Sequence, residues 1–176
     1  MLAAAVAGCG GQARNAAPSV TVVKADFQGS PAPLAALHAQ ANQLLGGGPA
    51  AFKARLRELH GYPVVVNMWA SWCEPCQSEF PVYQRVAVLD GRRVAFLGID
   101  AKDADSAASS FLRHFPVTYP SYTDPNGRIG AAIDAYSVYP QTFYFSPSGT
   151  MVYDKAGPYL SVSALEKDIR FYLHVN

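Results

Sequence analysis

The chain carries VVVNMWASWCEPC at residues 64–76, and this stretch decides how the rest of the sequence is interpreted. Residues 64–70 are apolar, rich in β-branched side chains and uncharged, which predicts a buried strand rather than an amphipathic helix. Pro75 suits the first turn of a helix, where its missing N–H leaves no bond unmade. The stretch therefore predicts a strand that delivers Cys73 to the start of a helix, and two cysteines at this spacing can form and break a disulfide reversibly.

The two cysteines are expected to have different roles. Free N–H groups and the helix dipole stabilise an anion at a helix N-terminus, so Cys73 should ionise more readily than a free thiol and act as the nucleophile. Cys76, one turn further on, is the predicted resolving thiol that attacks a mixed disulfide. Half of a zinc site is the alternative. Because tetrahedral zinc needs four ligands, and the chain adds only Cys9 and four scattered histidines, we predict no metal.

Length and charge set limits on the class of protein. The 176 residues suffice for one domain with a sizeable core, and half of them are hydrophobic. The formal charge is +1, from 14 basic and 13 acidic residues without a basic cluster, so a nucleic-acid partner is not expected. No apolar stretch reaches the roughly 20 residues that span a bilayer, so association with a membrane would require an anchor.

The chain begins with a short apolar segment whose last residues, VAGC at 6–9, resemble the lipobox of bacterial lipoproteins. In that motif the cysteine is lipidated, so Cys9 is the predicted lipidation site. The segment has no basic region and is too short for a complete signal, which indicates a translation start assigned too late. An Ala-rich disordered terminus with an incidental cysteine is the alternative. The lipoprotein interpretation places the folded part outside the cytoplasm, anchored to the cell membrane.

Apolar spacing and turn residues predict the organisation of the chain. We expect a signal remnant and tether over residues 1–19, an N-terminal extension over 20–50 and the main domain over 51–176. The extension is predicted to contain a short strand at 20–23 and a helix from Leu34 through Leu44 and Leu45 that stops at the following glycines.

The main domain is predicted to alternate strands and helices, which implies a parallel sheet core. A final β-hairpin and helix complete it, and Ser163 with Glu166 is expected to form a capping box at the last helix. The predicted elements are, in order, helix 52–59, strand 64–70, a helix from the cysteine motif to about 90, strand 94–99, helix 105–115, an extended piece 117–122, helix 129–136, strands 141–145 and 150–153, and helix 162–172.

This order of elements, with a WCxxC motif on the first core helix, resembles the thioredoxin fold from about residue 52 to 173. Within it, residues 66–81 (VNMWASWCEPCQSEFP) resemble the TlpA-like and ResA-like thiol-disulfide oxidoreductases of bacterial envelopes. The helix and strand inserted between residues 105 and 122 fit that subfamily. The resemblance implies an α/β fold with a mixed central sheet flanked by helices, and it implies no cofactor.

The resemblance also assigns further site residues. Pro140 stands where thioredoxin-like proteins place a cis-proline facing the disulfide, so Tyr139 and Pro140 are expected to bind the client backbone. An ordinary proline at the start of a strand is the alternative. Trp72 is expected to shield the disulfide at this substrate-binding surface. Glu79 stands where TlpA-like proteins have an acid that takes the proton of Cys76, and a solvated surface glutamate is the alternative.

Two positions depart from the pattern of related sequences. Asn67 stands where ordinary thioredoxins bury an aspartate, which leaves Glu79 as the remaining candidate for handling protons. Tyr139 is bulky where threonine is common before the cis-proline. Because the resemblance implies that this residue lies against the sulfurs, its identity is expected to bear on the redox potential and on substrate preference.

These features predict an envelope enzyme that exchanges a dithiol or disulfide with client proteins. The resemblance favours a reductant, for example one that serves cytochrome c maturation and is fed by a membrane electron donor. An oxidant of secreted proteins, which uses a membrane electron acceptor, is the alternative. A peroxidase would need a threonine where this chain has Ala70, and copper delivery would need a wider cysteine spacing and a distal histidine, for which only His114 can be considered.

Overall fold

Helices cover both faces of a six-stranded sheet in the computed structural model, which describes residues 27–175. The predictions for Cys9, for the tether and for a strand at 20–23 lie outside the described residues. The elements are, in chain order, α1 (Ala32–Ala39), β1 (Leu44–Leu45), α2 (Gly48–Glu58), β2 (Val64–Trp69), α3 (Glu74–Asp90), β3 (Ala95–Ala101), α4 (Asp105–His114), β4 (Ser121–Asp124), α5 (Arg128–Ala131), β5 (Gln141–Phe145), β6 (Met151–Ala156) and α6 (Val162–Leu173).

The sheet is mixed, with strand order β1-β4-β3-β2-β5-β6. The first four strands of that order are parallel, and β5 and β6 join as an antiparallel hairpin. Strand β2 is buried along its whole length because both faces of the sheet are covered. The structure therefore confirms the predicted mixed sheet flanked by helices, with α4 and β4 as the inserted helix and strand.

The side chains of β2 alternate between two core layers. Val65 and Trp69 pack in the cluster formed with α3, α4 and α6, whereas Val66 and Met68 pack in the cluster formed with α1, α2 and α5. Successive side chains of a strand point to opposite faces, so Asn67 faces the α3 side together with Val65 and Trp69. This alternation decides which polar groups lie behind the cysteine pair.

The predicted helix through Leu44 and Leu45 is wrong, because α1 ends before them and the two leucines form the edge strand β1. Asn42 adopts a left-handed backbone conformation with φ 63°. Its side chain donates to the carbonyl of Leu112 at 3.1 Å and accepts the N–H of Val117 at 3.0 Å. These tertiary contacts override the helical spacing and bring the chain alongside β4.

Two further boundaries differ from the predictions. Strand β4 is formed by Ser121–Asp124 rather than by residues 117–122, and α5 is a single turn that does not extend to Tyr136. Asp134, with φ 55°, adopts a left-handed conformation that a helix does not allow. The chain therefore leaves the helix early and runs on towards the cis-proline.

Helix α6 begins at a different serine from the predicted one. Ser161 caps the helix by accepting the N–H of Ala164 at 3.3 Å, so the predicted capping box of Ser163 and Glu166 is wrong. Glu166 instead lies 3.8 Å from Arg170, measured from Oε2 to Nη1, one turn further along the helix.

Candidate active site

The cysteine pair lies where β2 passes into α3. Cys73 is the N-cap of α3, and a disulfide joins it to Cys76, with the two Cα atoms 5.3 Å apart. The N–H of Cys76 donates to Sγ of Cys73 at 3.2 Å. The predicted position of Cys73 at a helix N-terminus is confirmed, and in the reduced protein this N–H and the helix dipole would stabilise a thiolate there.

The surface beside the cysteines is aromatic. Cys73 is 4% exposed and Cys76 is fully buried, whereas Trp72 is 57% exposed. The ring of Trp72 meets the ring of Tyr139 edge-on, with centroids 5.3 Å apart, and its Nε1 donates to the carbonyl of Lys102 at 3.2 Å. Tyr139 also packs against the core cluster that contains both cysteines. The fold therefore brings together two residues that the sequence assigned to one surface.

The peptide bond between Tyr139 and Pro140 is cis, as predicted. Pro140 is buried directly before β5, and its carbonyl accepts the N–H of Gly157 at 2.9 Å. The loop before it is open, because Tyr136 is 61% exposed and Val138 is 48% exposed. An exposed apolar segment thus leads up to the residues that contact Trp72.

Glu79 lies one turn after Cys76 on the same side of α3 and is fully buried, so the alternative of a solvated surface glutamate is wrong. Its Oε2 accepts the N–H of Tyr159 at 3.1 Å, whereas Oε1 has no hydrogen-bond partner among the described residues. Burial raises the pKa of Glu79 to about 8, although the Tyr159 N–H, the nearby Asn67 amide and the charge of Lys155 act in the opposite direction. The Asn67 amide lies close to the carboxyl without reaching hydrogen-bond geometry.

An acidic pair beside the cysteine loop was missed from the sequence. Oδ2 of Asp103 accepts the N–H of Ser71 at 2.6 Å, and its Oδ1 accepts the N–H of Ala104 at 2.8 Å. Asp100, near the end of β3, is 1% exposed, and burial, followed by the charge of Asp103, raises the pKa of Asp100 to about 8. The sequence contained a signal for this pair. The carboxyl ends of parallel neighbouring strands such as β2 and β3 meet at one edge of a sheet, so acids at the end of β3 are expected beside the cysteine loop that follows β2.

Residues 27–175 contain no group of three or more His, Cys, Asp or Glu side chains arranged to hold a metal ion. Within the same range no helix is both long enough and apolar enough to cross a membrane. His114 lies at the end of α4, where its Nδ1 is 2.8 Å from the carbonyl of Ser110.

The architecture and the cysteine pair at the start of α3 define a thioredoxin-like protein. The chain belongs to the AhpC/TSA family, whose model matches residues 29–154. The match begins just before α1 and ends in β6, so it includes the cysteine pair, Glu79 and the cis-proline.

Several relatives of known name are similar to this chain. It is 38% identical over 96 residues to a "Thiol:disulfide interchange protein DsbE homolog" of Paracoccus denitrificans, which covers 53% of this chain and 50% of that protein. It is 37% identical over 111 residues to the "Thiol:disulfide interchange protein CycY" of Rhizobium leguminosarum, with coverages of 61% and 57%. It is 29% identical over 103 residues to the "Thiol-disulfide oxidoreductase ResA" of Bacillus subtilis, with coverages of 57% and 56%. The chain thus spans about half the length of the curated relatives it matches.

Solved structures of other proteins have a fold similar to that of this chain. The fold is similar to that of MTB dsbF, with a TM-score of 0.60 and 28% identity over 66% of this chain and 84% of that one. It is also similar to a secreted Mycobacterium tuberculosis disulfide oxidoreductase homologous to E. coli DsbE, with a TM-score of 0.56 and 26% identity over 65% and 83% of the two chains. These similarities confirm the predicted fold and the resemblance to thiol-disulfide oxidoreductases.

Proposed function

We propose that this chain is an extracytoplasmic thiol-disulfide oxidoreductase that transfers two electrons between its Cys73–Cys76 pair and client proteins. The observation that carries the proposal is the disulfide at the start of α3, where the N–H of Cys76 lies 3.2 Å from Sγ of Cys73. Relatives named as thiol:disulfide interchange proteins, and a neighbour described as a secreted disulfide oxidoreductase, support it. Lipid attachment at Cys9 is the corresponding proposal for the anchor.

In the reducing direction the reaction starts from the dithiol. The Cys73 thiolate attacks one sulfur of a client disulfide, forms a mixed disulfide and releases the other client sulfur as a thiolate. Cys76 then loses its proton and attacks Sγ of Cys73, which releases the second client thiolate as the Cys73–Cys76 disulfide forms. The client gains two electrons, and its two sulfurs take up the two protons that the cysteines released.

Glu79 is proposed to accept the proton of Cys76 in the second step. The two residues lie one turn apart on the same side of α3, and both are fully buried. Burial raises the pKa of the Glu79 carboxyl to about 8, close to the value of about 8.5 for a free thiol. A base whose proton affinity matches that of the donor transfers a proton at little cost in either direction.

The client is proposed to bind along the surface formed by Trp72, Tyr139 and Pro140. An extended client segment would pair with the backbone at Tyr139, as peptides do when they add to the edge of existing extended structure. The exposed ring of Trp72 and the neighbouring side chains of Tyr136 and Val138 give this surface an apolar character. We therefore expect apolar residues beside the reactive cysteine of the client.

The direction of electron flow is the remaining part of the proposal. The TlpA-like and ResA-like resemblance supports a reductant that receives electrons from a membrane protein and keeps the cysteines of apocytochrome c reduced. An oxidant of secreted proteins would use the same residues in reverse. The reduction potential, measured by equilibrating the full chain in thiol-disulfide buffers, decides between them. A value near or below about −270 mV identifies a reductant, and a value near about −120 mV identifies an oxidant.

A trapping experiment tests the exchange reaction itself. In Cys76→Ala the mixed disulfide formed by Cys73 cannot be resolved, so clients should remain bound through a bond that dithiothreitol cleaves. Cys73→Ala is the matched control; both variants also carry Cys9→Ala, so that no other accessible cysteine can trap a client, and the control should then trap none. Equal trapping by the two variants, or none by Cys76→Ala, would contradict the proposed roles of the two cysteines.

A further inference from the structure

Buried polar atoms without hydrogen-bond partners gather around Glu79. Within residues 27–175 they include both amide atoms of Asn67, Oε1 of Glu79 and the hydroxyl of Tyr119, and all three side chains are at most 2% exposed. Native proteins pair nearly all of their buried polar groups, so an unpaired group requires a specific explanation. Three such residues at one place indicate that the arrangement serves the chemistry of the site.

The three side chains share one layer of the fold. Asn67 lies between Val65 and Trp69 on the face of β2 that packs against α3, the helix that carries Glu79. Tyr119 belongs to the same core cluster. The Asn67 amide is the hydrogen-bonding side-chain neighbour that lowers the pKa of both Glu79 and Tyr119 against the rise that burial causes, so it lies within reach of both groups.

We propose that Asn67 and Tyr119 are positioning residues for the proton that Glu79 exchanges with Cys76, an inference that rests on the proposed role of Glu79. A carboxamide carries both a donor and an acceptor. Neutral Glu79 can donate to Oδ1 of Asn67, and ionised Glu79 can accept from Nδ2 after the amide has turned over. The Tyr119 hydroxyl, which is also both donor and acceptor, can then pair with the other end of the amide in either orientation.

The proton balance of this step is simple. One proton leaves the Cys76 thiol and arrives on the Glu79 carboxylate, while the amide of Asn67 and the hydroxyl of Tyr119 only reorient. A carboxylate or an apolar side chain at position 67 could serve at most one of the two protonation states. An amide at position 67 can form a hydrogen bond with Glu79 in both its neutral and its ionised state.

The other groups that face Glu79 are held by partners of their own. The hydroxyl of Tyr83 is 2.5 Å from Oγ1 of Thr142. Lys155 donates to the carbonyl of Gly157 at 3.0 Å, and its Nζ lies 4.4 Å from the centroid of the Tyr159 ring. These contacts do not depend on the protonation of Glu79, so Asn67 and Tyr119 are the polar neighbours whose unpaired atoms can respond to it.

The test follows the Glu79 carboxyl directly by carbon-13 NMR titration of the oxidised full chain. Asn67→Leu removes the partner of both forms of Glu79, but the bond to the ionised carboxylate is the stronger of the two, so the titration midpoint of Glu79 should rise by about one pH unit. Tyr119→Phe should raise it by a smaller amount, about half a unit. Tyr83→Phe removes a buried hydroxyl that already has a partner, and as the matched control it should leave the midpoint within about 0.2 units of wild type.

The outcomes separate the inference from the proposed function. The inference is overturned if Asn67→Leu and Tyr119→Phe leave the midpoint unchanged, or if Tyr83→Phe shifts it equally. Should Asn67→Leu fail to fold, Tyr119→Phe decides alone, because it removes only an unpaired hydroxyl. The proposed function is tested by Glu79→Gln, whose exchange rate should lose the pH dependence that wild type shows near pH 8. A Glu79→Gln profile identical to wild type would remove Glu79 as the proton acceptor, whatever the carbon-13 midpoints are.

Discussion

Replacing Glu79 by Gln should remove much of the pH dependence of stability in the oxidised protein. Burial raises the pKa of Glu79 from an ordinary value of 4.5 to about 8. The folded protein therefore holds a proton that the unfolded chain releases, so folding takes up one proton between about pH 4.5 and pH 8. The contribution of Glu79 to the free energy of unfolding is fully present at low pH. It is lost as the pH rises through this window, by about 1.4 kcal/mol for each pH unit.

Between about pH 5.5 and pH 7.5, the loss from Glu79 alone is therefore about 3 kcal/mol. Urea unfolding at both pH values measures it, and the free energy of unfolding should fall by about 3 kcal/mol more in wild type than in Glu79→Gln. Asp100 has a similarly raised pKa but is present in both proteins, so the difference between them isolates Glu79. Glu74→Gln, which changes an exposed glutamate of the same helix, is the control and should keep the wild-type dependence. Parallel losses in wild type and Glu79→Gln would show that Glu79 is ionised in the folded protein and would refute the reasoning.

Three further predictions follow from named contacts. Asp103→Ala removes the acceptor of the Ser71 N–H, so it should lower the free energy of unfolding by about 1–2 kcal/mol. It should also slow the reduction of a disulfide substrate, and an unchanged rate would show that this contact does not position the cysteine loop. Tyr139→Thr removes the ring that meets Trp72, so the fluorescence maximum of Trp72 should move to longer wavelength. It also removes an aromatic contact offered to the client, worth about 1 kcal/mol, so the KM for apolar client peptides should rise several-fold, and an unchanged KM would contradict the proposed client surface. Asn42→Ala removes two hydrogen bonds at the approach to β1 and should cost about 2 kcal/mol in urea unfolding, with faster hydrogen exchange in β1 and β4; equal exchange would contradict the role given to Asn42.

The parts of the fold that the sequence predicted correctly are those fixed by local pattern. A β-branched run before a cysteine and a proline suited to the first helical turn was enough to place β2, the N-cap Cys73 and α3. The errors lie where distant contacts decide the structure. Apolar residues at helical spacing gave no sign that Asn42 would bond to groups near Val117 and turn Leu44 and Leu45 into a strand.

In the candidate site, too, local spacing predicted some features and distant contacts decided the others. The spacing of Cys76 and Glu79 places them on one side of a helix, but it does not say what covers that side. Tyr159, which comes 80 residues later in the chain, supplies the N–H that holds Glu79. The contact of Asp103 is also distant in the chain: it accepts the N–H of Ser71 on the loop that precedes Cys73, and the local sequence around Asp103 does not indicate this bond.

The arrangement of acids explains why an amide at position 67 suits this site. Glu79 and Asp100 are both buried, and burial raises the pKa of each to about 8. At neutral pH each is therefore mostly protonated, and the ionised fraction of Glu79, about one molecule in ten, is the form that can accept a proton. A third buried acid in the layer between the sheet and α3 would have to be neutral as well, or it would place a negative charge where the proposed mechanism requires Cys76 to lose its proton. Asn67 keeps the hydrogen-bonding capacity of an acid without the charge. In the proposed mechanism, proton transfer can then be confined to one carboxyl, Glu79, which lies on the same helix as Cys76.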